Sequence, residues 1–222
     1  MEKQVTILSL ENITHDVLQI KTEKPANLTF VPGQATEISI AKNDWKDEKR
    51  PFTFTSLPQD KHLEFTIKVY PQHNGVTNEL LKLQKGDKLI LHDVFGAIAY
   101  KGEGVFIAGG AGITPFISIL RELDSKGEIG NNRLVFANNT EADIILKKEF
   151  DGLLDKKFIN ILSEEKTREF EHGHITEGFL KRNIPENHPF IYLCGPPPMM
   201  EAIEKQLKNL NIPENKIVKE EF

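Results

Sequence analysis

The chain has 222 residues, 39% of them hydrophobic, with 28 Lys and Arg against 33 Asp and Glu, enough apolar content for one large core or two modest ones. Its formal net charge of −5 argues against a general nucleic-acid partner, which needs a basic surface, and no apolar run reaches the ~20 residues of a membrane span. The opening residues enter an alternating pattern rather than a signal peptide, and Cys194 as the single cysteine permits neither an internal disulfide nor a cysteine-ligated cluster, so a reducing, cytoplasmic setting is expected.

Up to about residue 100 the chain reads as short strands separated by turn chemistry. Residues 6–10, 17–22, 35–41, 52–56, 63–70 and 88–92 carry the β-branched, aromatic or alternating residues of strands. Val31-Pro32-Gly33-Gln34, Leu57-Pro58-Gln59-Asp60 and Lys85-Gly86-Asp87-Lys88 mark turns. Closely spaced strands of this kind imply an antiparallel β-barrel. One helical interruption, Gly75-Val76-Thr77-Asn78-Glu79-Leu80-Leu81-Lys82-Leu83, opens on a glycine and a capping residue and offers an anion site.

From about residue 101 the rhythm changes to strand, helix, strand, helix, which implies a parallel doubly wound sheet with its ligand at the carboxyl ends of the strands. The first unit runs from Val105 to Leu120, an apolar strand, the cluster Gly109-Gly110-Ala111-Gly112 and an apolar-periodic helix, with Thr114 as N-cap and Pro115 at the first helical position. Such a turn cradles phosphate, although glycines there serve helix–strand packing equally well. A strand at 133–138 leads to Thr140-Glu141-Ala142-Asp143, a capping box before a helix at 144–154. Further strands fall at 158–162 and 190–194, helices at 176–182 and 198–210, the last with Met199, Ala202, Ile203 and Leu207 on one face. Residues 216–220 close the sheet. The two parts divide at 1–100 and 101–222, an all-β domain followed by an α/β domain. His172-Gly173-His174 lies in a polar loop without further ligands and reads as solvent-exposed, so no metal site is expected.

Arg50-Pro51-Phe52-Thr53 places a cation that clamps phosphate, an aromatic ring that stacks on a heterocycle and a hydroxyl that bonds a ring nitrogen within one short stretch. Alone, it reads more readily as a surface arginine beside a core strand. Read together and in order, Arg50-Pro51-Phe52-Thr53, Ile67-Lys68-Val69-Tyr70 with Gly75-Val76-Thr77-Asn78, Gly109-Gly110-Ala111-Gly112-Ile113-Thr114-Pro115 and Cys194-Gly195-Pro196-Pro197-Pro198-Met199 resemble the ferredoxin–NADP reductase superfamily over nearly the whole chain. Phe136-Ala137-Asn138-Asn139-Thr140-Glu141 and the prolines after Cys194 are most similar to the cytochrome b5 reductase branch.

The resemblance implies a flavin-binding barrel, a nicotinamide-nucleotide domain, and the two rings stacked at the cleft between them. It implies FAD pyrophosphate held by Arg50 and by Gly75, Val76, Thr77 and Asn78, with Lys68 and Tyr70 lining the FAD groove. Pro51 and Phe52 would lie along the flavin, and Thr53 near flavin N5. Tyrosine is usual where Phe52 stands, so one phenolic hydrogen bond is expected to be lost. Gly110, Gly112 and Thr114 would face the nucleotide pyrophosphate and nicotinamide, Asn138 and Asn139 the adenosine, and Cys194, Gly195, Pro196 and Met199 the nicotinamide ring. Thr53 and Cys194 are the expected catalytic residues. Isolated cysteines are otherwise mostly small buried hydrophobes. Phe222 either covers the flavin or is a plain last-strand residue. With no arginine in Asn138-Asn139-Thr140-Glu141, NADH is favoured over NADPH, unless Lys147 or Lys148 reaches the 2′-phosphate.

The implied activity is an oxidoreductase that takes hydride from NADH onto flavin N5 and passes single electrons to a separate redox protein, a ferredoxin, flavodoxin or haem protein. Lys46, Lys49, Lys101 and Lys181 are scattered over both parts and select no particular acceptor. The alternatives are an NADPH-dependent ferredoxin or flavodoxin reductase, and a non-catalytic flavin subunit of a larger oxygenase or dehydrogenase complex. A monomer is expected.

Overall fold

The computed structural model describes residues 2–96, 98–187 and 189–219. Its chain divides into two units, Met1–Ala99 with Thr114–Glu122, and Tyr100–Ile113 with Leu123–Phe222.

The first unit is a barrel of β1 (Lys3–Asn12), β2 (Val17–Glu23), β3 (Ala35–Ile40), β4 (Arg50–Thr53), β5 (His62–Lys68) and β6 (Lys88–Phe95), ordered β4-β3-β6-β1-β2-β5. Every ladder in it is antiparallel. Phe54, just past β4, bridges Phe65 of β5 and so joins the two end strands, which removes the open edges. Side chains alternating inward fill the interior with Ile7, Ile20, Ile38, Phe54, Leu63 and Phe65, and the Phe54 ring stacks on Phe30 at 4.2 Å. Strand β4 ends earlier than the expected 52–56 because Phe54 turns inward to make that bridge. Strand β5 ends at Lys68, leaving Tyr70 exposed and stacked on His73 at 5.7 Å. The short helix α1 (Val76–Leu80) has Gly75 as its N-cap, and Val76 and Leu80 enter the core.

The second unit carries a parallel sheet of β7 (Gly104–Gly109), β8 (Arg133–Asn138), β9 (Phe158–Leu162), β10 (Glu171–His172), β11 (Phe190–Cys194) and β12 (Ile217–Lys219), ordered β10-β9-β8-β7-β11-β12. Its helices are α3 (Lys147–Leu154), α4 (Glu177–Asn183) and α5 (Pro197–Asn209), whereas most of α2 (Thr114–Ser125), the helix that follows β7, groups with the barrel unit. The chain builds outward from β7 on one side and then crosses to place β11 on the other, so the topological switch point lies between β7 and β11.

Several expectations are corrected here. The capping box is present, with the Asp143 carboxylate accepting from the Thr140 N–H at 2.8 Å and hydroxyl at 2.7 Å, but it closes a 3-10 turn, Glu141–Asp143. Ile144 is extended and Leu146 left-handed at φ 54°, so α3 starts at Lys147 rather than 144; burying Ile144 and Ile145 outweighs continuing the helix. The buried face of α5 is Met200, Ile203 and Leu207, and Ala202 is exposed. Thr114 is not an N-cap: a 3-10 turn, Gly110–Ile113, runs directly into α2. Residue His172, expected in a loop, sits in β10 and is exposed. Phe222 lies outside the described residues.

Candidate functional site

In the barrel unit, β4 presents Arg50 and Pro51 as exposed residues and Phe52 and Thr53 as half-buried ones. Arg50 donates to the Lys49 carbonyl at 2.6 Å and meets the Glu48 carboxylate at 3.4 Å, both local and exposed contacts that an incoming anion displaces at small cost. Phe52 packs one side against the barrel core. Lys68 is committed elsewhere, in a 2.8 Å ion pair with Asp16. Burial opposes the Asp16 charge, yet the Lys68 hydrogen bond and charge hold its carboxyl below the usual range. Of the α1 candidates, Val76 is a core side chain, and a side chain at Gly75 would meet open space.

Helix α2 explains how Thr53 is held. The Thr114 hydroxyl donates to Thr53 Oγ1 at 3.3 Å, the Ser118 hydroxyl accepts from the Gly33 N–H at 3.1 Å, and Arg121 Nη1 donates to the Thr55 carbonyl at 2.8 Å and the Glu64 carboxylate at 2.6 Å. These positions fall at i, i+4 and i+7, one polar stripe on a helix whose remaining buried residues are apolar. Glu64 is 6% exposed and also accepts from the Thr55 hydroxyl at 3.0 Å. Ser118, Arg121 and Glu64 escaped the sequence reading. Their signal was a serine and an arginine spaced from Thr114 by helical periods within an apolar helix.

In the second unit the glycines of the turn after β7 separate into two kinds. A Cβ on Gly112 would lie 2.3 Å from the Cys194 carbonyl oxygen and 2.7 Å from Gly195 Cα, and one on Gly109 would lie 2.3 Å from Met199 Sδ. Both are needed for close packing of the β7 turn on the segment from Cys194 to Met199. Gly110 has φ +51° and nothing within 4 Å of a built Cβ, so its backbone faces open space. Cys194 is buried at 8% exposure, at the carboxyl end of β11. The turn between β7 and α2 and the turn between β11 and α5 thus meet at the switch point, where an open α/β sheet binds ligands.

At the carboxyl end of β8, Asn138 is buried, and among the described residues its Nδ2 has no partner; neither has Asn160 Oδ1. Phe136 pairs with Asn160, so residues 138 and 160 share a face of the sheet. A buried donor and a buried acceptor left there fit a ligand that both accepts and donates, as a nucleotide does. Asn139 is exposed, and its side-chain oxygen accepts from the Ser163 hydroxyl at 3.1 Å. Lys147 is held by Asp151 at 3.1 Å and Glu169 at 3.3 Å, contacts that raise its pKa. The Glu141 N–H donates to the Glu165 carboxylate at 2.7 Å.

Comparison with known proteins divides the chain in the same order. Residues 2–102 match the FAD-binding domain family and residues 106–205 the oxidoreductase NAD-binding domain family. The reductase component of propane 2-monooxygenase from Mycolicibacterium goodii is 29% identical over 97% of this chain and 66% of its own length. NADH-cytochrome b5 reductase 1 from Kluyveromyces lactis is 32% identical over 78% of this chain and 67% of its own. The cytochrome b5 reductase domain of Ulva prolifera nitrate reductase shares the fold with a TM-score of 0.84 at 22% identity, covering 99% of this chain and 97% of that one. The chain spans slightly less than two thirds of the length of several curated relatives, 66%, 63% and 62% in three of them.

Proposed function

The chain belongs to the ferredoxin reductase superfamily, an FAD-binding barrel followed by an oxidoreductase NAD-binding domain, and on that premise we propose that it is an NADH-dependent flavin reductase of a separate electron-carrier protein. The observation that carries this reading is the 3.3 Å hydrogen bond from Thr114 to Thr53. It fixes the hydroxyl assigned to flavin N5 against the first residue of the helix that leaves the nucleotide turn. Flavin, when bound, accepts two electrons together with a proton and releases the electrons singly.

The protein's own contribution is alignment. Arg50 neutralises the FAD pyrophosphate, with Gly75, Val76, Thr77 and Asn78 supplying backbone and hydroxyl donors, while Pro51 and Phe52 pack along the flavin. Tyr70, exposed past the end of β5, borders the same groove. Gly110 admits the nucleotide phosphates to the backbone, Asn138 and Asn139 bind the adenosine side, and Cys194, with Gly195, Pro196 and Met199, borders the nicotinamide. Gly112 acts by permitting the turn rather than by touching ligand, and Lys68 acts by pairing with Asp16.

NADH is preferred because the segment directly after β8, Asn139 to Asp143, carries two carboxylates and no cation. Asp143 and Glu165 serve backbone N–H groups there, and Lys147 is engaged by two acids. A 2′-phosphate would meet repulsion. The electron acceptor is a separate redox protein, and the oxygenase-reductase relatives favour one belonging to an oxygenase system. Anaerobic stopped-flow mixing of the purified yellow protein with NADH tests the proposal: rapid bleaching of the flavin is expected, with a higher kcat/KM for NADH than for NADPH. A protein that binds no flavin, or whose flavin neither nucleotide bleaches, overturns it.

A further inference from the structure

The parallel-sheet unit has a cavity at the opposite end of its strands from the switch point. Its volume is about 450 Å³, within the range of small-molecule sites. It opens where β7, β8, β9, β11 and β12 begin, and Gly104, Arg133, Lys157, Phe190 and Lys216 mark those starts. Charge is the distinctive feature. In a chain of net charge −5, this cavity gathers Arg133, Lys157 and Lys216 around a single carboxylate, Glu103.

That carboxylate is already engaged, since its two oxygens accept from the Asn131 N–H at 3.0 Å and from Asn131 Nδ2 at 3.1 Å. The cations are anchored by neutral groups, and Lys157 alone also feels the Glu103 charge. Arg133 Nη1 donates to the Asn183 carbonyl at 3.2 Å, Lys157 Nζ to the Gly130 carbonyl at 2.6 Å, and Lys216 Nζ lies 4.5 Å from the Phe190 ring centroid. Among the described residues none of them forms an ion pair with an acid. Each anchor uses part of the donor set, and a guanidinium or ammonium so held retains N–H groups for a ligand. Three cations preorganised by backbone and ring contacts lose little side-chain freedom when an anion enters, which favours binding.

We infer that this cavity binds a small organic anion carrying at least two negative charges, a phosphate ester or a polycarboxylate, with Arg133, Lys157 and Lys216 as its cationic ligands. The apolar walls at Pro185 and Phe190 suit a carbon skeleton rather than a bare inorganic ion. The site is distinct from the nucleotide crevice. Strand β7 separates them, and its six residues span about 20 Å. Strands β7 and β11 start in this cavity and end at Gly109 and Cys194, so occupancy bears on the two strands that carry the nucleotide turns.

Isothermal titration of the full chain, with FAD and NAD+ in excess so that the nucleotide sites are filled, tests this with glucose 6-phosphate and citrate as separate titrants. Saturable binding of one titrant or both at one per chain is expected, and the stronger identifies the anion class. Lys216→Gln, which removes no backbone hydrogen bond, should weaken binding about fivefold, the value of roughly 1 kcal/mol for one charge-assisted contact. Arg133→Gln/Lys216→Gln should weaken it more, and Lys85→Gln in the other unit should leave it unchanged. No saturable heat from either titrant overturns the proposal. So does binding that survives Lys216→Gln and the double variant intact, or that Lys85→Gln weakens equally.

Discussion

The barrel unit presents its candidate groups as side chains on one short strand, whereas the parallel-sheet unit presents them as backbone at two abutting turns. Arg50, Phe52 and Thr53 project from β4, and their neighbours in the core, Phe54 and Phe65, are different residues. At the second unit's switch point, the residues that shape the site also hold the turns together. Gly112 approaches the Cys194 carbonyl so closely that site and packing are one contact. The difference teaches where function can be separated from folding: substitutions on β4 should alter binding while sparing stability, and substitutions at the β7 turn should alter both.

The sharpest way to break that contrast is within the glycine turn itself. Gly112→Ala places a Cβ 2.3 Å from a backbone oxygen that no side-chain rotation can move, so the turn or the strand must shift. Overpacking of this kind costs about 3 kcal/mol, or roughly 6–12 °C in Tm for a chain of this size. Gly110→Ala meets no atom and bears only the left-handed backbone at φ +51°, about 1 kcal/mol. Thermal melts of the two variants should differ about threefold in destabilisation. Equal losses would show that the turn is relaxed and that the packing role assigned to Gly112 is mistaken.

Next in size is the ion pair that ties α2 to the barrel. Arg121→Met leaves Glu64 buried with the Thr55 hydroxyl and Lys21 at 3.8 Å, and losing one partner of such a pair costs about 3 kcal/mol. Adding Glu64→Gln removes the stranded charge, so the double variant should be more stable than the sum of the single losses, by denaturant titration. Additivity would mean that the pair is not coupled.

What the sequence made legible follows from which interactions are local. The two-part architecture was readable because alternation and helical period are written over short windows, as in β7, β8 and β11. Strand ends were less so: β4 stops at Thr53 because Phe54 must reach Phe65 across the barrel, a contact between residues distant in sequence. Helix α3 starts late for a similar reason, the burial of Ile144 and Ile145. The residues that position Thr53 were missed because Arg121 and Glu64 lie 57 positions apart and only the fold joins them. In contrast, the candidates Arg50, Phe52, Thr53, Gly110 and Cys194 stand in contiguous motifs that the resemblance displays directly.

A third prediction concerns a part of the second unit that is purely structural. Tyr192 is fully buried, stacks on Phe106 at 4.2 Å, donates to the Gly102 carbonyl at 2.7 Å and accepts from the Lys101 N–H at 2.8 Å. Burial pushes its phenol up to about 12, from an ordinary value of 10.0. In the unfolded chain the proton leaves near pH 10, so above that pH the unfolded state binds fewer protons than the folded one. Stability should therefore fall by about 1.4 kcal/mol per pH unit between about pH 10 and 12 through this residue alone, and should not change through it below pH 10. Tyr192→Phe should be less stable at neutral pH, with a shallower decline in that window. An unchanged slope would place the phenol's ionisation elsewhere.

The smallest expected effect is the most direct test of the barrel side of the contrast. Phe52 is half-buried, with one side on the core and the other free to meet a flavin, and the superfamily resemblance sets a tyrosine at this position. Phe52→Tyr adds a hydroxyl without removing any packed atom, so the melting temperature of the flavin-free protein should stay within the scatter of neutral surface changes. If the ring lies along the flavin, the new hydroxyl regains one hydrogen bond to it. A net gain of about 0.5–1.5 kcal/mol should tighten FAD binding about twofold to tenfold, measured by flavin fluorescence quenching on titration. Tighter binding at unchanged stability would separate recognition from folding on β4, as Gly112→Ala cannot do at the nucleotide turn. A loss of stability with no gain in affinity would instead make Phe52 a core residue and move the flavin ring away from this strand.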